Sequence, residues 1–379
     1  MPPLSKRVAD LRGSPVRAML EQAQRPEVIS FAGGLPAPDS FSDIRMDQPP
    51  PSVWQYGPSE GEPELRRRIA EALQVLGLDA PTDRVLILSG SQQGIDLVAK
   101  LLVDAGTPVA LESPAYLAAL QVFRFFGAAL RVMDRSDPCA GWTARDRPTL
   151  AYVTPTFSNP TGACWTRAER QALAGACDHS GVVLFEDDPY RDLAYDPCER
   201  RPICADLKRA PWIYQGSFSK TFAPGLRLGF LAASEDLFPY LVRLKQAADL
   251  HASSLGQWMA LQHLNDPGRA ERLKGLADRY RSKRDLFAAA MSRTLGGLAD
   301  WDLPPGGLFF WATLRSGADT LDLLPRALAR NVIFTPGAHF LADGQEPCAA
   351  MRLNFSHADS ETAERGLTVL AELIPQNGV

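Results

Sequence analysis

A chain of 379 residues with 45% hydrophobic and 22% charged residues has an ordinary soluble globular composition, and its length favours two domains over a single core. The formal net charge of -4 gives no electrostatic reason to expect nucleic acid or an anionic membrane as partner. Six cysteines without a C-x-x-C pair and five histidines without clustered spacing argue against a disulfide framework and against a metal, so a cytoplasmic, metal-free protein is expected.

In chain order, the N-terminal MPPLSKRVADLRGS lacks the apolar stretch of a signal peptide, and no later apolar run approaches the length of a membrane span. The prolines at 49–51 read as a local connector. VLIL at 85–88 is predicted as a strand, followed by a helix over 93–103. PVAL at 108–111 and LAYV at 150–153 are further strands. A helix over 167–179 stops at Gly181, and VVLF at 182–185 resumes extended structure. WIYQ at 212–215 and LGFL at 228–231 complete the set. Continuous apolar strands alternating with helices predict an α/β fold whose mostly parallel sheet is covered on both faces. Beyond about residue 237 the pattern changes: helical periodicity over 237–245 and 269–292, then strand-like GLFFW and MRLNF. These predict a smaller α+β domain. The expected division is an N-terminal arm with part of the small domain over 1–44, a large domain over 45–245 and a C-terminal small domain over 246–379.

Ligands of open α/β sheets bind outside the carboxyl ends of the strands, so the polar residues after each apolar run carry the functional argument. After 85–88 comes SGSQQG, whose small residues admit a close ligand and whose helix N-terminus presents free N–H groups to an anion. A plain capped turn is the competing reading. TPTFSNPTG follows 150–153, with Asn159-Pro160 and Thr161-Gly162 as turn dipeptides. Glu186, Asp187 and Asp188 follow 182–185; each alone reads as a turn initiator, and together they invite a cationic ligand atom. The last strand pair flanks GSFSKTFAPGLRLGF. Its Ser217-x-x-Lys220 has the spacing of serine acyl transferases, but the S-D-N, K-T-G and G-x-S-x-G companions are missing. The other reading makes Lys220 a nucleophile desolvated between Phe218 and Phe222, with Ser217, Ser219 and Arg227 around a phosphate. Anion donors, a carboxylate and an imine-forming amine at one sheet edge are the inventory that pyridoxal 5′-phosphate requires.

The motifs FAGGLP, QYGPSEG, SGSQQGID, SNPTG, EDDPY, SFSKTFAPGLRLG and MRLNFS span nearly the whole chain in that order. With them the sequence resembles the class I/II aminotransferases of the fold-type I pyridoxal-phosphate enzymes. FAGGLP and SGSQQG make it most similar to the 2-aminoadipate/kynurenine aminotransferase branch. The resemblance implies a large domain with a seven-stranded, mostly parallel sheet between helices, a smaller α+β domain, and a homodimer with shared active sites. It implies that Lys220 forms the imine with the cofactor and that Asp187 pairs with the pyridine nitrogen. Tyr190 and Asn159 would bond the ring's phenolic oxygen, and Tyr116 would stack on the ring. Ser91, Gln92, Ser217, Ser219 and Arg227 would bind the phosphate, joined by Tyr56 of the neighbouring subunit. Arg352 would clamp the substrate α-carboxylate, helped by Asn159 and the backbone near Gly34. Tyr116 as a core aromatic, Tyr56 as a surface residue and Arg352 in a structural salt bridge are the competing readings.

Substrate choice divides similarly. Arg17, in Ser14-Pro15-Val16-Arg17, would meet an acidic side chain as in the aminoadipate branch, although Pro15 departs from the usual pattern and a solvated Arg17 competes. Phe31, Leu35 and Phe309 would instead favour apolar or aromatic side chains. The implied reaction is ping-pong transfer of an amino group from an L-amino acid to a 2-oxo acid, with 2-oxoglutarate as the expected acceptor. A pyridoxal-phosphate β-lyase or decarboxylase is the alternative. An effector-binding regulatory domain is a minor one, because no basic helix-turn-helix precedes FAGGLP.

Overall fold

A computed structural model describes residues 5–9, 21–37, 40–41, 48–344 and 346–375. After a two-residue strand β1 (Ile29–Ser30), seven strands form the central sheet: β2 (Val85–Leu88), β3 (Pro108–Leu111), β4 (Ala129–Val132), β5 (Leu150–Val153), β6 (Val183–Asp187), β7 (Trp212–Ser217) and β8 (Gly229–Ala233). Their spatial order is β2-β8-β7-β6-β5-β3-β4. All neighbours are parallel except β8, which runs antiparallel to both β2 and β7. Two reversals leave β2 parallel to the rest, so its carboxyl end and the amino end of β8 lie on the same side as the other carboxyl ends.

Alternation along these strands explains the continuous apolar runs. Val85, Ile87, Leu184 and Tyr214 enter the core on one face, while Leu86, Leu88, Phe185 and Ile213 enter the core on the other. A strand buried on both faces has no polar side to show. β4 (ALRV) is the exception, a largely exposed edge strand, and it carries no apolar run by which sequence alone would mark it.

Helices cover the sheet: α1 (Pro63–Val75), α2 (Ser91–Leu102), α3 (Leu117–Phe125), α4 (Arg167–Ser180), α5 (Phe238–Asp249) and α6 (Ser254–Asn265). α4 starts on a capping box between Thr166 and Glu169 and ends on Gly181 at φ 64°, the signals that bound it in the sequence. α2 opens at Ser91, two residues ahead of the helix expected at 93. Beyond it, α7 (Arg269–Leu295), α8 (Thr320–Leu328) and α9 (Ser360–Leu373) pack with a four-stranded sheet. That sheet is built from β9 (Ala299–Asp300), β10 (Phe309–Leu314), β12 (Thr335–Pro336) and β13 (Ala350–Asn354), in the order β12-β13-β10-β9. β11 (Val332–Ile333) pairs in parallel with β1, so residues 29–30 are stitched to the C-terminal part of the chain.

Candidate active site

The carboxyl ends of β2, β5, β6 and β7 open onto a cavity of about 270 Å³. Ser91, Gln92, Tyr116, Asn159, Asp187, Tyr190, Ser217, Ser219, Lys220 and Arg227 all line it, with Leu35 and Pro36 from the FAGGLP segment. The fold therefore gathers at one place residues drawn from positions 35 to 227.

Lys220 lies just past β7. Its Nζ donates to the carbonyl of Gly34 at 2.9 Å and sits 5.5 Å above the Tyr190 ring. Burial, reinforced by the charges of Arg352 and Arg227, pushes its pKa down to about 8. A lysine so placed has a substantial neutral, nucleophilic fraction near neutral pH.

Asp187 closes β6 and is 2% exposed. Its Oδ2 accepts from the Tyr152 hydroxyl and its Oδ1 from Gln215 Nε2, both at 2.9 Å. Burial still outweighs these bonds and raises its pKa to about 6. Among the described residues no salt bridge to it occurs. Its acidic neighbours are each engaged elsewhere: Glu186 lies 3.8 Å from Arg170, and Asp188 takes Arg191 and the Tyr214 hydroxyl at 3.0 Å. Of the three acids expected to invite a cation, only Asp187 reaches the cavity.

This burial has a measurable consequence. A carboxyl that titrates near 6 when folded, against 3.8 when free, subtracts stability from the cofactor-free chain as pH rises from about 4 through 6, by about 3 kcal/mol when fully developed. Urea unfolding of cofactor-free protein at pH 5 and pH 8 should show Asp187→Asn losing less stability across the interval than wild type. Equal losses would show that Asp187 is not desolvated.

The turn between β2 and α2 has the makings of an anion site. Gly90, at φ 84°, precedes Ser91 without any side-chain cap, leaving the helix N-terminus open. A Cβ on Gly90 would stand 2.7 Å from Arg227 Nη2, and one on Gly229 would stand 2.9 Å from the Ser91 nitrogen. Only glycine at these two positions lets the guanidinium and the helix end come together. Arg227 itself has φ 49° and its closest protein acceptor is the Pro224 carbonyl at 3.4 Å. Ser217 and Ser219 complete that site, with the Ser219 amide donating to Ser217 Oγ at 3.1 Å.

Beside the cavity, Arg352 on β13 is 5% exposed. Its Nη1 donates to Asn159 Oδ1 at 2.7 Å, while Nη2 donates to Thr335 Oγ1 at 3.2 Å and to the Ala32 carbonyl. The rings of Phe309 and Phe340 lie 4.4 and 5.0 Å from the guanidinium. Nε has no partner, no carboxylate pairs with Arg352 among the described residues, and burial lowers its pKa to about 10. The structural salt bridge considered from the sequence is therefore absent there, and a buried cation stands ready for an anion. Asn159 links the two halves of the site, because its Nδ2 also lies 3.5 Å from the Tyr190 hydroxyl.

Other expected residues fall outside this group. Tyr56 is 78% exposed, packs edge-on against His251 at 5.7 Å, and does not line the cavity of its own chain. Phe31 does not reach a substrate: it is fully buried in the core against Phe287, so the apolar surface at the cavity comes from Leu35 instead. Arg17 lies outside the described residues. Two functional partners were not singled out from the sequence, Tyr152 and Gln215, which orient Asp187. Their signal was a polar atom inside an otherwise apolar strand.

Comparison with known proteins agrees with this geometry. Residues 46–370 match the family model "Aminotransferase class I and II". The chain is 35% identical over 382 residues to a 2-aminoadipate transaminase of Thermus thermophilus, covering 96% of this chain and 94% of that protein. Its fold superposes with a TM-score of 0.91 on a kynurenine aminotransferase of Pyrococcus horikoshii solved with PMP, at 30% identity and covering 98% and 96% of the two chains. It superposes with a TM-score of 0.86 on an α-aminoadipate aminotransferase of Thermus thermophilus complexed with N-(5′-phosphopyridoxyl)-L-leucine, at 33% identity and covering 98% and 97%.

Proposed function

The chain belongs to the class I and II aminotransferases and is a pyridoxal-phosphate-dependent transaminase, and on that premise we propose how its residues divide the work. Two buried charges without counter-ions among the described residues, Asp187 in the cavity and Arg352 beside it, accompany the low-pKa amine of Lys220; this observation carries the reading. The residues fit the cofactor: the cup of Ser91, Gln92, Ser217, Ser219 and Arg227 suits a phosphate dianion, and Asp187 suits a ring cation. Bound there, pyridoxal phosphate supplies an aldehyde that condenses with amines and a ring that takes up electrons from the substrate Cα.

Asp187, held by Tyr152 and Gln215, would keep a proton on the pyridine nitrogen. Tyr190 and Asn159 would hydrogen-bond the phenolic oxygen, and Tyr116 would pack on the ring. Arg352 and Asn159 orient the substrate α-carboxylate, with the backbone near Gly34 closing the approach. Lys220 Nζ, lowered in pKa and lining the cavity, would move the substrate Cα proton, a general acid–base role that typically supplies about 10²–10⁴-fold. Tyr56 serves the phosphate of a neighbouring subunit in a homodimer. Its exposure, and that of Trp54 at 67%, support that assignment. A cytoplasmic location is part of the same proposal. Among the described residues no helix is long and apolar enough to cross a membrane, and the cysteines are free.

The acceptor is 2-oxoglutarate, and the donor is a 2-aminoadipate-like or an aromatic amino acid. The names of the similar proteins support both donors, and Leu35 offers apolar surface at the cavity. A panel of amino acids assayed with 2-oxoglutarate and with pyruvate should give glutamate and the donor's 2-oxo acid, with pyruvate the poorer acceptor. Pyruvate and ammonia released from a β-substituted amino acid without any acceptor would mark a lyase instead.

A further inference from the structure

Behind the turn that carries Ser91 lies a buried cation with no role in the scheme above. Lys245, on α5, is fully buried, and its Nζ donates to Gln93 Oε1 at 2.7 Å and to Asp249 Oδ2 at 2.9 Å, with Ser89 Oγ at 3.5 Å. Asp249 Oδ2 also accepts from Ser89 Oγ at 2.7 Å and from Gln93 Nε2 at 2.8 Å. Gln93 Oε1 in turn accepts the backbone N–H of Ser89 at 2.8 Å. Ser89 and Gln93 lie on either side of Ser91 and Gln92, so the network grips the cup's turn at both ends.

Helix energetics give no reason for this pair. Asp249 is the last residue of α5, where the helix dipole disfavours a carboxylate. A lysine four residues ahead of an acid is also the weaker order for a helical ion pair. Both side chains instead direct their polar atoms at residues 89–93. Being neutral as a unit, the pair acts on a nearby anion through geometry rather than through net charge. On the opposite side, Gly90 abuts Arg227 and Gly229 abuts Ser91, so the turn is clamped between β8 and α5.

We propose that Lys245 and Asp249 are positioning residues for the cofactor phosphate, fixing the turn 89–93 so that Ser91 and Gln92 present their donors to it. This rests on the pyridoxal-phosphate reading of the site. The test compares two probes on the cofactor-free chain by spectroscopic titration: pyridoxal phosphate, and pyridoxal, which keeps the aldehyde and lacks the phosphate. Lys245→Met should weaken pyridoxal phosphate by about tenfold or more, the cost of unpairing a buried hydrogen-bonding group, and leave the affinity for pyridoxal unchanged. Gln93→Ala, which leaves the Lys245–Asp249 ion pair intact, should show the same selective loss and carries the comparison if Lys245→Met does not fold. Equal weakening of both probes, or unchanged pyridoxal-phosphate affinity in a folded variant, would overturn the proposal. A wild-type chain without preference for the phosphorylated probe would instead sink the phosphate cup itself.

Discussion

Replacing Lys220 by alanine should lower turnover by about 10²–10⁴-fold or more and remove the visible absorbance near about 420 nm of the cofactor-loaded protein. The expectation follows from position: the Lys220 amine is the low-pKa nucleophile of the cavity, held by the Gly34 carbonyl and pressed by Arg352 and Arg227. Retention of both the band and the turnover would refute the assignment. The same variant tests the shared site. Lys220→Ala subunits mixed with Tyr56→Phe subunits should regain measurable activity, because one site of each mixed dimer would combine an intact lysine with an intact partner tyrosine. If Tyr56 served its own chain, mixing would restore nothing.

Arg352→Met should reduce kcat/KM by about 10²–10³-fold, the effect of removing one partner of a buried charge pair, while the cofactor's visible band persists. The ligand-free protein should lose little stability, because the lost hydrogen bonds to Asn159, Thr335 and Ala32 are offset by removal of a buried cation that has no counter-ion among the described residues. In wild type, 2-oxoglutarate should raise the Tm of the cofactor-loaded protein by mass action, and in Arg352→Met that rise should vanish. Unchanged kcat/KM in the variant would move substrate recognition elsewhere.

Much of this is legible in the sequence. Strands buried on both faces announce themselves as apolar runs, and α4 announces itself through its caps. Ser91, Asn159, Asp187 and Lys220 stand out because each follows such a run. What sequence could not supply was direction. Alternation alone decides that Asp187 faces the cavity while Glu186 and Asp188 are paired with arginines, and a one-residue shift would exchange their roles. Phe31 was read at the substrate and lies in the core for the same reason. Arg352 was visible as an arginine in a strand, but the absence of a carboxylate beside it is a property of packing. Lys245 was lost within a helical periodicity that treats every lysine as solvated. The edge strand β4 escaped because its exposed side chains carry no pattern.

The antiparallel insertion of β8 between β2 and β7 has a further consequence, for folding. Ser91 and Arg227 are distant in the chain and meet only because Leu88 pairs with Gly229 and Ser217 pairs with the same residue from the other side. Contacts of such sequence separation carry a loop-closure cost that local contacts do not, and they form slowly. A chain whose sheet lacks β8 does not bring Arg227 to the Gly90–Ser91 turn. A ligand that needs both sides of that junction would add its binding free energy to the finished sheet alone.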